Sequence, residues 1–212
     1  MKSSALWSNA SNIVLIGLMG AGKTTIGRKL AMRLGREFVD TDQEIEAKSG
    51  ASVATIFELE SEEGFRRREA KMLLEVMQGS RQVVTTGGGA PVRSENRPVI
   101  SKGFVIYLEA DPRQLWQRLR FDQSRPLLSQ SSDPRATLEK LHAERDPIYR
   151  QLANCIVTST RGSMGQVLVQ IEQELKRVGF ALTDETIIPQ SVSDHRSIKA
   201  DQATESKLKQ EG

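Results

Sequence analysis

One short segment of the chain has the residue types and the spacing of a phosphate-binding loop. Residues 17–24 read Gly-Leu-Met-Gly-Ala-Gly-Lys-Thr, which matches the pattern G-x-x-x-x-G-K-[ST]. Glycines let successive backbone N–H groups converge on a phosphate, and the N-terminus of the following helix adds positive potential. Lys23 can then reach the β- and γ-phosphates, while the Thr24 hydroxyl can bind Mg²⁺. The segment therefore predicts binding of a nucleoside triphosphate.

The sequence on either side supports this prediction. An apolar, β-branched run at residues 12–16 precedes the loop, and apolar residues at helical spacing follow it over residues 25–34. Strand, loop and helix in this order are the context in which the motif binds phosphate. The predicted nucleotide contacts are Gly20, Ala21, Gly22, Lys23, Thr24 and Thr25.

Two carboxylates follow the second predicted strand, residues 37–39. They are Asp40 and Asp42. The third predicted strand ends without a carboxylate, so Asp40 is the nearest candidate to join Thr24 at Mg²⁺. Asp42 fits two roles equally well on the residues alone. It can cap the next helix, expected to run to Ser49, or contact a reacting hydroxyl group.

The elements that must position these residues alternate between strand and helix five times. Apolar runs predict strands near residues 12–16, 37–39, 82–86, 104–108 and 155–158. Such alternation predicts an α/β fold, a parallel sheet with helices on both faces, in which ligands gather at the carboxyl ends of the strands. The phosphate-binding loop, the two aspartates and the triplet Gly87-Gly88-Gly89 all follow strands, so we expect them to meet in one cleft.

Local signals predict several helix boundaries. Ser52 is expected to cap a short helix, and Ser61 to cap a long one that runs to about Gln78. The helix that starts at Asp133-Pro134 is expected to end before Pro147, which would leave Arg145 looking like a surface residue. At the glycine triplet, the backbone is expected to come close to another group.

Length and composition predict one domain with a tail. The 212 residues carry 30 Lys and Arg against 27 Asp and Glu, a net charge of +3. No apolar stretch approaches about 18 residues, residues 1–11 lack the apolar core of a signal peptide, and the single cysteine, Cys155, is expected to be buried. We therefore expect a cytoplasmic protein without membrane contact. The predicted organisation is a polar N-terminal extension at 1–11, a kinase domain at 12–180 with a lid at about 122–133, and a disordered tail at 181–212.

Two classes of nucleotide-binding protein fit poorly. The chain has no N-K-x-D tetrapeptide for reading guanine. Its third predicted strand ends without the aspartate that usually follows an apolar strand in motor and transporter ATPases. A short chain with one phosphate-binding loop, and with an arginine in a loop between two helices, is typical of a small phosphoryl-transfer enzyme with a lid.

The motifs together resemble the bacterial shikimate kinase family over about residues 12–178. The resemblance lies in the phosphate-binding loop and in five further motifs that follow it in order: D-T-D at 40–42, F-R-R-R-E at 65–69, G-G-G at 87–89, R-P-L-L at 125–128 and E-R-D-P-I-Y at 144–149. It implies a three-layer α/β/α P-loop NTPase fold of the nucleoside monophosphate kinase type, with a five-stranded parallel sheet and a lid. It also implies phosphorylation of the 3-hydroxyl of shikimate by ATP with one Mg²⁺ ion.

The resemblance also implies roles for individual residues. Asp42 would contact the reacting hydroxyl, Gly88 would offer its N–H to the substrate, and Arg145 would bind the substrate carboxylate. Arg125 would bring a mobile positive charge to the phosphoryl group. Arg118, on the helix before it, would lie near the adenine.

Arg66 has independent support from spacing. Glu69 follows it by three residues on one helix face, so Glu69 can hold the guanidinium while Arg66 presents a planar fork to a carboxylate. The catalytic candidates are thus Lys23, Asp42 and Arg125. The substrate-binding candidates are Asp42, Arg66, Gly88 and Arg145, and the metal ligands are Thr24 and Asp40.

Two alternatives remain open. One is a kinase of the same fold for gluconate or for a nucleoside monophosphate. The other is a nucleotide-gated protein that uses its basic body on nucleic acid, although no basic stripe interleaved with aromatic residues is present. We expect a monomer that binds ATP and shikimate and does not bind nucleic acid.

Overall fold

The computed structural model describes residues 7–122, 126–129, 131–159 and 163–181. Within them, five strands form a single parallel sheet with the order β2-β3-β1-β4-β5. The strands are β1 (Ile13–Ile16), β2 (Glu37–Asp40), β3 (Gln82–Thr85), β4 (Phe104–Glu109) and β5 (Cys155–Thr158). Strand β1 lies at the centre and is fully buried, as expected for a continuous apolar run covered on both faces. The predicted five-stranded parallel sheet is confirmed.

Eight α-helices accompany the sheet in the described ranges. They are α1 (Lys23–Leu34), α2 (Thr41–Ser49), α3 (Val53–Val76), α4 (Arg97–Ile100), α5 (Pro112–Leu119), α6 (Pro126–Ser129), α7 (Pro134–Leu152) and α8 (Met164–Arg177). Helix α1 packs on β2, β3 and α8, while α7 packs on β4 and α5. The fold is the predicted three-layer α/β/α arrangement. No helix of the described residues has the length and apolar character that crossing a membrane requires.

The strand register brings the chemical residues to one edge of the sheet. Asp40 at the end of β2 pairs with Thr85 at the end of β3, and Thr85 also pairs with Leu15 of β1. The phosphate-binding loop leaves β1 one residue later, and the glycine triplet leaves β3 at the same level. Because parallel strands share one carboxyl edge, these segments adjoin.

Asp40, rather than Asp42, caps α2. Its Oδ1 accepts hydrogen bonds from the backbone N of Asp42 (3.1 Å) and of Gln43 (3.4 Å), so the capping role considered for Asp42 is wrong. The helix begins at Thr41, directly after the strand, and the last strand residue therefore has the extended backbone that an N-cap needs. Asp42 lies in the first helical turn.

Helix α3 is interrupted where the sequence predicts it. Ser52 caps the helix by accepting from the N of Thr55 (3.1 Å), as expected. At Ser61 the backbone leaves the helical region, with φ 64° and ψ 175°, and the axis kinks there. The segment before the kink and the segment after it can therefore face one pocket from two directions.

The predicted end of α7 before Pro147 is wrong, because the helix continues through Pro147 to Leu152. Proline lacks an N–H, so only the hydrogen bond to the carbonyl of Ala143 is lost. Tyr149, in the turn beyond, is fully buried. Burial of this large side chain stabilises the continued helix.

Both ends of the described chain pack on the edge of the core. The ring of Trp7 meets that of Phe104 edge-on, with centroids 5.6 Å apart, and Phe104 meets Phe180 at 5.5 Å. The guanidinium of Arg36 lies over Phe180, and the backbone N of Ala181 donates to Oδ1 of Asn9 (2.8 Å). Residues 182–212, which hold nearly all of the predicted tail, lie outside the described residues.

Candidate active site

The phosphate-binding loop has the open geometry that an anion requires. Gly20 and Gly22 have φ of 76° and 90°, values that favour glycine. Gly22 precedes α1 without a side-chain cap, so the N–H groups of the first turn face outward. The Nζ of Lys23 donates to the carbonyls of Gly17 (2.9 Å) and Leu18 (3.0 Å). This places an ammonium group across the loop.

Thr24 and Asp40 contact each other beside the loop. The Thr24 Oγ1 donates to Oδ2 of Asp40 (2.7 Å), while the other Asp40 oxygen caps α2. A hydroxyl and one carboxylate are hard oxygen ligands, the kind that Mg²⁺ prefers when phosphates and water complete its shell. The described residues contain no cluster of three or more His, Cys, Asp or Glu side chains placed to hold a metal ion. The two residues fit Mg²⁺ bound together with a nucleotide.

Two hollows lie side by side at this edge of the sheet. The loop hollow is lined by Gly20, Gly22, Lys23, Thr24, Thr25, Asp40, Thr86, Arg118, Leu119 and Asp122, and the arginine hollow by Val53, Phe57, Phe65, Arg66, Glu69, Gly89, Leu127 and Arg145. Both are also lined by Met19, Asp42, Gly87 and Gly88. These four residues form a shared wall, so Asp42 faces both hollows.

Among the described residues, every predicted site residue except Ala21 lines one of these hollows. The side chain of Ala21 is buried, and its N–H donates to the carbonyl of Leu18 (3.2 Å) within the loop. Arg125 lies outside the described residues. Beyond it, Leu127 lines the arginine hollow and Leu128 is buried.

Arg66 is held by carboxylates on its own helix. Its Nη1 donates to Oε2 of Glu69 (2.9 Å), and its Nε and Nη2 donate to Oε1 of Glu62 (3.2 and 2.9 Å). Burial lowers the pKa of Arg66, but the charges and hydrogen bonds of Glu69 and Glu62 outweigh it, so the net shift is upward. Burial raises the pKa of Glu69, against the opposing charge of Arg66. The predicted Arg66–Glu69 pair is present and largely removed from solvent.

The glycine triplet lies directly against these side chains. A Cβ on Gly89 would overlap the guanidinium of Arg66, and a Cβ on Gly87 would overlap carboxylate oxygens of Glu69 and Asp42. The expected close approach of backbone to another group is therefore confirmed. The triplet leaves room for the buried charges around the arginine hollow.

Arg145 completes the arginine hollow from α7. Its exposed fraction is 7%, which contradicts the surface placement that an end before Pro147 had suggested. Among the described residues, Arg145 Nη1 and Glu69 Oε1 are buried without a hydrogen-bond partner. Buried polar atoms are seldom left unsatisfied. Their position in the lining of the hollow marks a site for a polar ligand, to which the two arginines offer donors and the carboxylates of Asp42 and Glu69 offer acceptors.

Several residues in the site were missed from the sequence. Phe57 lines the arginine hollow, and its ring packs on Phe65 with centroids 4.8 Å apart. Tyr149 donates from its hydroxyl to the carbonyl of Gly88 (2.5 Å). The available signal was its position four residues after Arg145, since such residues share a helix face. Arg118, for which a place near the adenine stays a prediction, lines the loop hollow, where its Nη1 donates to the carbonyl of Gly20 (3.2 Å).

Known proteins resemble this chain over most of its length. The family model described as shikimate kinase matches residues 19–176. A shikimate kinase from Burkholderia thailandensis is 48% identical over 170 residues, covering 80% of this chain and 92% of the relative. One from Chromobacterium violaceum is 50% identical over 167 residues, covering 78% and 90%.

Solved structures also resemble this chain. The shikimate kinase from Acinetobacter baumannii in complex with shikimate has a TM-score of 0.77 at 41% identity, covering 82% of this chain and 98% of that one. A gluconokinase from Sinorhizobium meliloti has a TM-score of 0.55 at 16% identity, covering 81% and 95%. The second likeness shows a common fold only.

Proposed function

The chain belongs to the shikimate kinase family, and we propose that its two hollows divide the reaction, with ATP in the loop hollow and shikimate in the arginine hollow. The activity is the ATP-dependent phosphorylation of shikimate in aromatic amino acid biosynthesis. One observation carries the division of roles: Asp42 stands in the wall between the hollow that contains Lys23 and the hollow that contains Arg66 and Arg145.

The arginine hollow suits an acidic, polyhydroxylated ring. Arg66 and Arg145 are both buried, so their charges are only weakly screened and attract a carboxylate strongly. Arg66 is held by Glu62 and Glu69 and loses little freedom when it binds. The N–H of Gly88, in the shared wall, is proposed to bind a polar group of the substrate.

Asp42 is proposed to orient the 3-hydroxyl of shikimate. The hydroxyl oxygen attacks the γ-phosphorus, the bond from that phosphorus to the β,γ-bridging oxygen breaks, and ADP leaves. The hydroxyl proton passes to the Asp42 carboxylate. Since phosphoryl transfer has a loose transition state, the proton moves late and a carboxylate is a sufficient base.

The loop hollow is proposed to neutralise the charge that builds up on the phosphates. The N–H groups at the start of α1 and the ammonium of Lys23 bind the β- and γ-phosphate oxygens. Thr24, and Asp40 through water, would hold the Mg²⁺ ion, which supplies further positive charge to the phosphates when it is bound. Arg125 is proposed to add a cation when the lid closes, and closure also excludes water.

The proposal is tested by measuring ADP release with different acceptors. Purified full-length chain with ATP and Mg²⁺ is given shikimate, gluconate or a nucleoside monophosphate, and ADP is measured with a coupled assay. We expect acceptor-dependent release with shikimate alone, because it combines a ring with a carboxylate that the two arginines can bind. Release with gluconate alone would contradict the proposal.

We further propose a monomer that acts in the cytoplasm and does not bind nucleic acid. Gel filtration and binding assays test the first and third points.

A further inference from the structure

Tyr149 is a buried polar group to which the proposed reaction assigns no role. Its side chain is fully buried between α7 and the sheet, and its ring packs on that of Tyr107 with centroids 5.1 Å apart. A tyrosine in such a place usually needs a partner for its hydroxyl. Here the acceptor is the carbonyl of Gly88, at 2.5 Å.

Gly88 connects the two hollows of the site. A Cβ placed on it would lie 3.3 Å from the carbonyl oxygen of Gly17, 3.6 Å from the backbone N of Met19 and 3.5 Å from Nη1 of Arg145. The residue is thus packed between the phosphate-binding loop on one side and the carboxylate-binding arginine on the other. A hydrogen bond to its carbonyl fixes the peptide plane on which the direction of the neighbouring N–H groups depends.

The same hydroxyl also adjoins Arg145. Tyr149 follows Arg145 by one helical turn, so the two side chains share a face of α7, and the positive charge of Arg145 lowers the pKa of the tyrosine. Burial is the larger effect and raises the pKa of Tyr149 to about 12. The hydroxyl therefore keeps its proton near neutral pH and remains a donor to Gly88.

We propose that Tyr149 is a positioning residue for shikimate, which holds the Gly88 peptide and the Arg145 guanidinium in the orientation that the acid substrate requires. The inference rests on the proposed function, since it takes the arginine hollow as the shikimate site. Tyr149 itself does not line that hollow, so it acts through its two neighbours.

The chain offers a matched control in Tyr107. This second buried tyrosine packs against the first but donates from its hydroxyl to Oδ1 of Asp146 (2.8 Å), while Oδ2 of Asp146 accepts from Nε of Arg150 (2.7 Å). This hydroxyl bonds to Asp146 and not to the glycine triplet. Tyr149→Phe and Tyr107→Phe each remove one hydroxyl from the same aromatic pair. Only Tyr149→Phe removes the hydrogen bond to the carbonyl of Gly88.

The test compares the two variants in the full-length enzyme. For Tyr149→Phe we expect the KM and the calorimetric Kd for shikimate to rise about tenfold, roughly the effect of losing one buried hydrogen bond. The KM of Tyr149→Phe for ATP should stay within about twofold of the wild-type value. The KM and the Kd of Tyr107→Phe for shikimate should also stay within about twofold, because a substitution that does not reach the site has little effect on binding. A structural role alone would lower the melting temperature of both variants without separating the two substrates.

Three outcomes would overturn the inference. They are an unchanged shikimate Kd in Tyr149→Phe, an equal rise in both variants, or an equal rise for ATP. The shikimate-induced increase in melting temperature reports affinity even in a variant that has lost turnover. Failure of the wild-type enzyme to use shikimate would instead reject the proposed function, so the two failures are distinguishable.

Discussion

Arg66 and Arg67 are neighbours in the sequence but occupy opposite environments. The side chain of Arg66 is 9% exposed and held by two carboxylates, whereas that of Arg67 is 67% exposed. We expect Arg66→Ala to raise the KM for shikimate by on the order of a hundredfold, because a buried charge-assisted contact is lost. The KM for ATP should change little, and Arg67→Ala should resemble the wild type. Steady-state kinetics with each substrate varied in turn provide the measurement, and a loss confined to ATP would show that this helix face is misassigned.

Lys23 and Lys29, both on α1, allow a second comparison of a site residue with an exposed residue of the same type. Lys23 crosses the phosphate-binding loop, while Lys29, later on the same helix, is exposed. Lys23→Ala should lower kcat by about a thousandfold or more, since it removes a fixed positive charge from the transferring phosphates. Lys29→Ala should keep full turnover. The coupled assay at saturating substrates measures both, and wild-type turnover in Lys23→Ala would reject the assignment of the loop.

Residue types and spacing predicted which side chains assemble, but not every contact they make. The Arg66–Glu69 pair follows from helical periodicity and was predictable. The choice between Asp40 and Asp42 as the cap depended on whether the helix begins directly after the strand, and boundaries of this kind shift by a residue or two. Tyr149 was missed because its partner, the Gly88 carbonyl, is 61 residues away in sequence.

At the scale of elements, the kink in α3 shapes the arginine hollow. Val53 and Phe57 line it from before Ser61, and Phe65, Arg66 and Glu69 line it from after. The kink places a serine in a backbone region that is almost restricted to glycine, at a cost of about 1–3 kcal/mol. Arg68 donates to both carboxylate oxygens of Glu60 and so connects the two segments across the kink.

The strain at Ser61 leads to a stability prediction. Ser61→Gly should raise the free energy of unfolding by about 1 kcal/mol, because relief of strain exceeds the extra entropy of glycine in the unfolded chain. Ser61→Ala keeps the strain and serves as the control. Urea unfolding of both variants measures the difference, and a glycine variant less stable than the alanine variant would show that the serine is unstrained.

The helices show where local rules succeed and where they fail. Ser52 caps α3 as its residue type indicates. The end of α7 was predicted wrongly, because proline is a helix breaker only when nothing else holds the next turn. Here the buried ring of Tyr149 holds it, and sequence periodicity alone gives no measure of that packing.

At the scale of the whole molecule, the sequence predicted the layers and the sheet but not the aromatic contacts that hold the two ends of the described chain. Alternating strands and helices imply the parallel sheet, because crossover connections leave few other arrangements. The aromatic contacts of Trp7, Phe104 and Phe180 join segments far apart in sequence. No local pattern marks such contacts.

These end contacts define where the chain can be cut. Truncation after Val178 removes Phe180, which is buried, and should destabilise the fold by about 3–5 kcal/mol. The melting temperature should then fall by on the order of 10 °C. Truncation after Ala181 keeps the aromatic contacts and should preserve both stability and kcat. Thermal unfolding and turnover of the two shortened chains test this, and a large loss of turnover in the longer one would assign residues 182–212 a part in catalysis.

Gly88 lines both hollows and is packed between Gly17 and Arg145. Any displacement of this peptide by one ligand therefore alters the surface that the other ligand meets. A displacement of this kind would couple the binding of the two substrates. If shikimate changes the affinity for nucleotide by some factor, nucleotide must change the affinity for shikimate by the same factor. The order in which the substrates are added would then affect the path to the ternary complex but not its final stability.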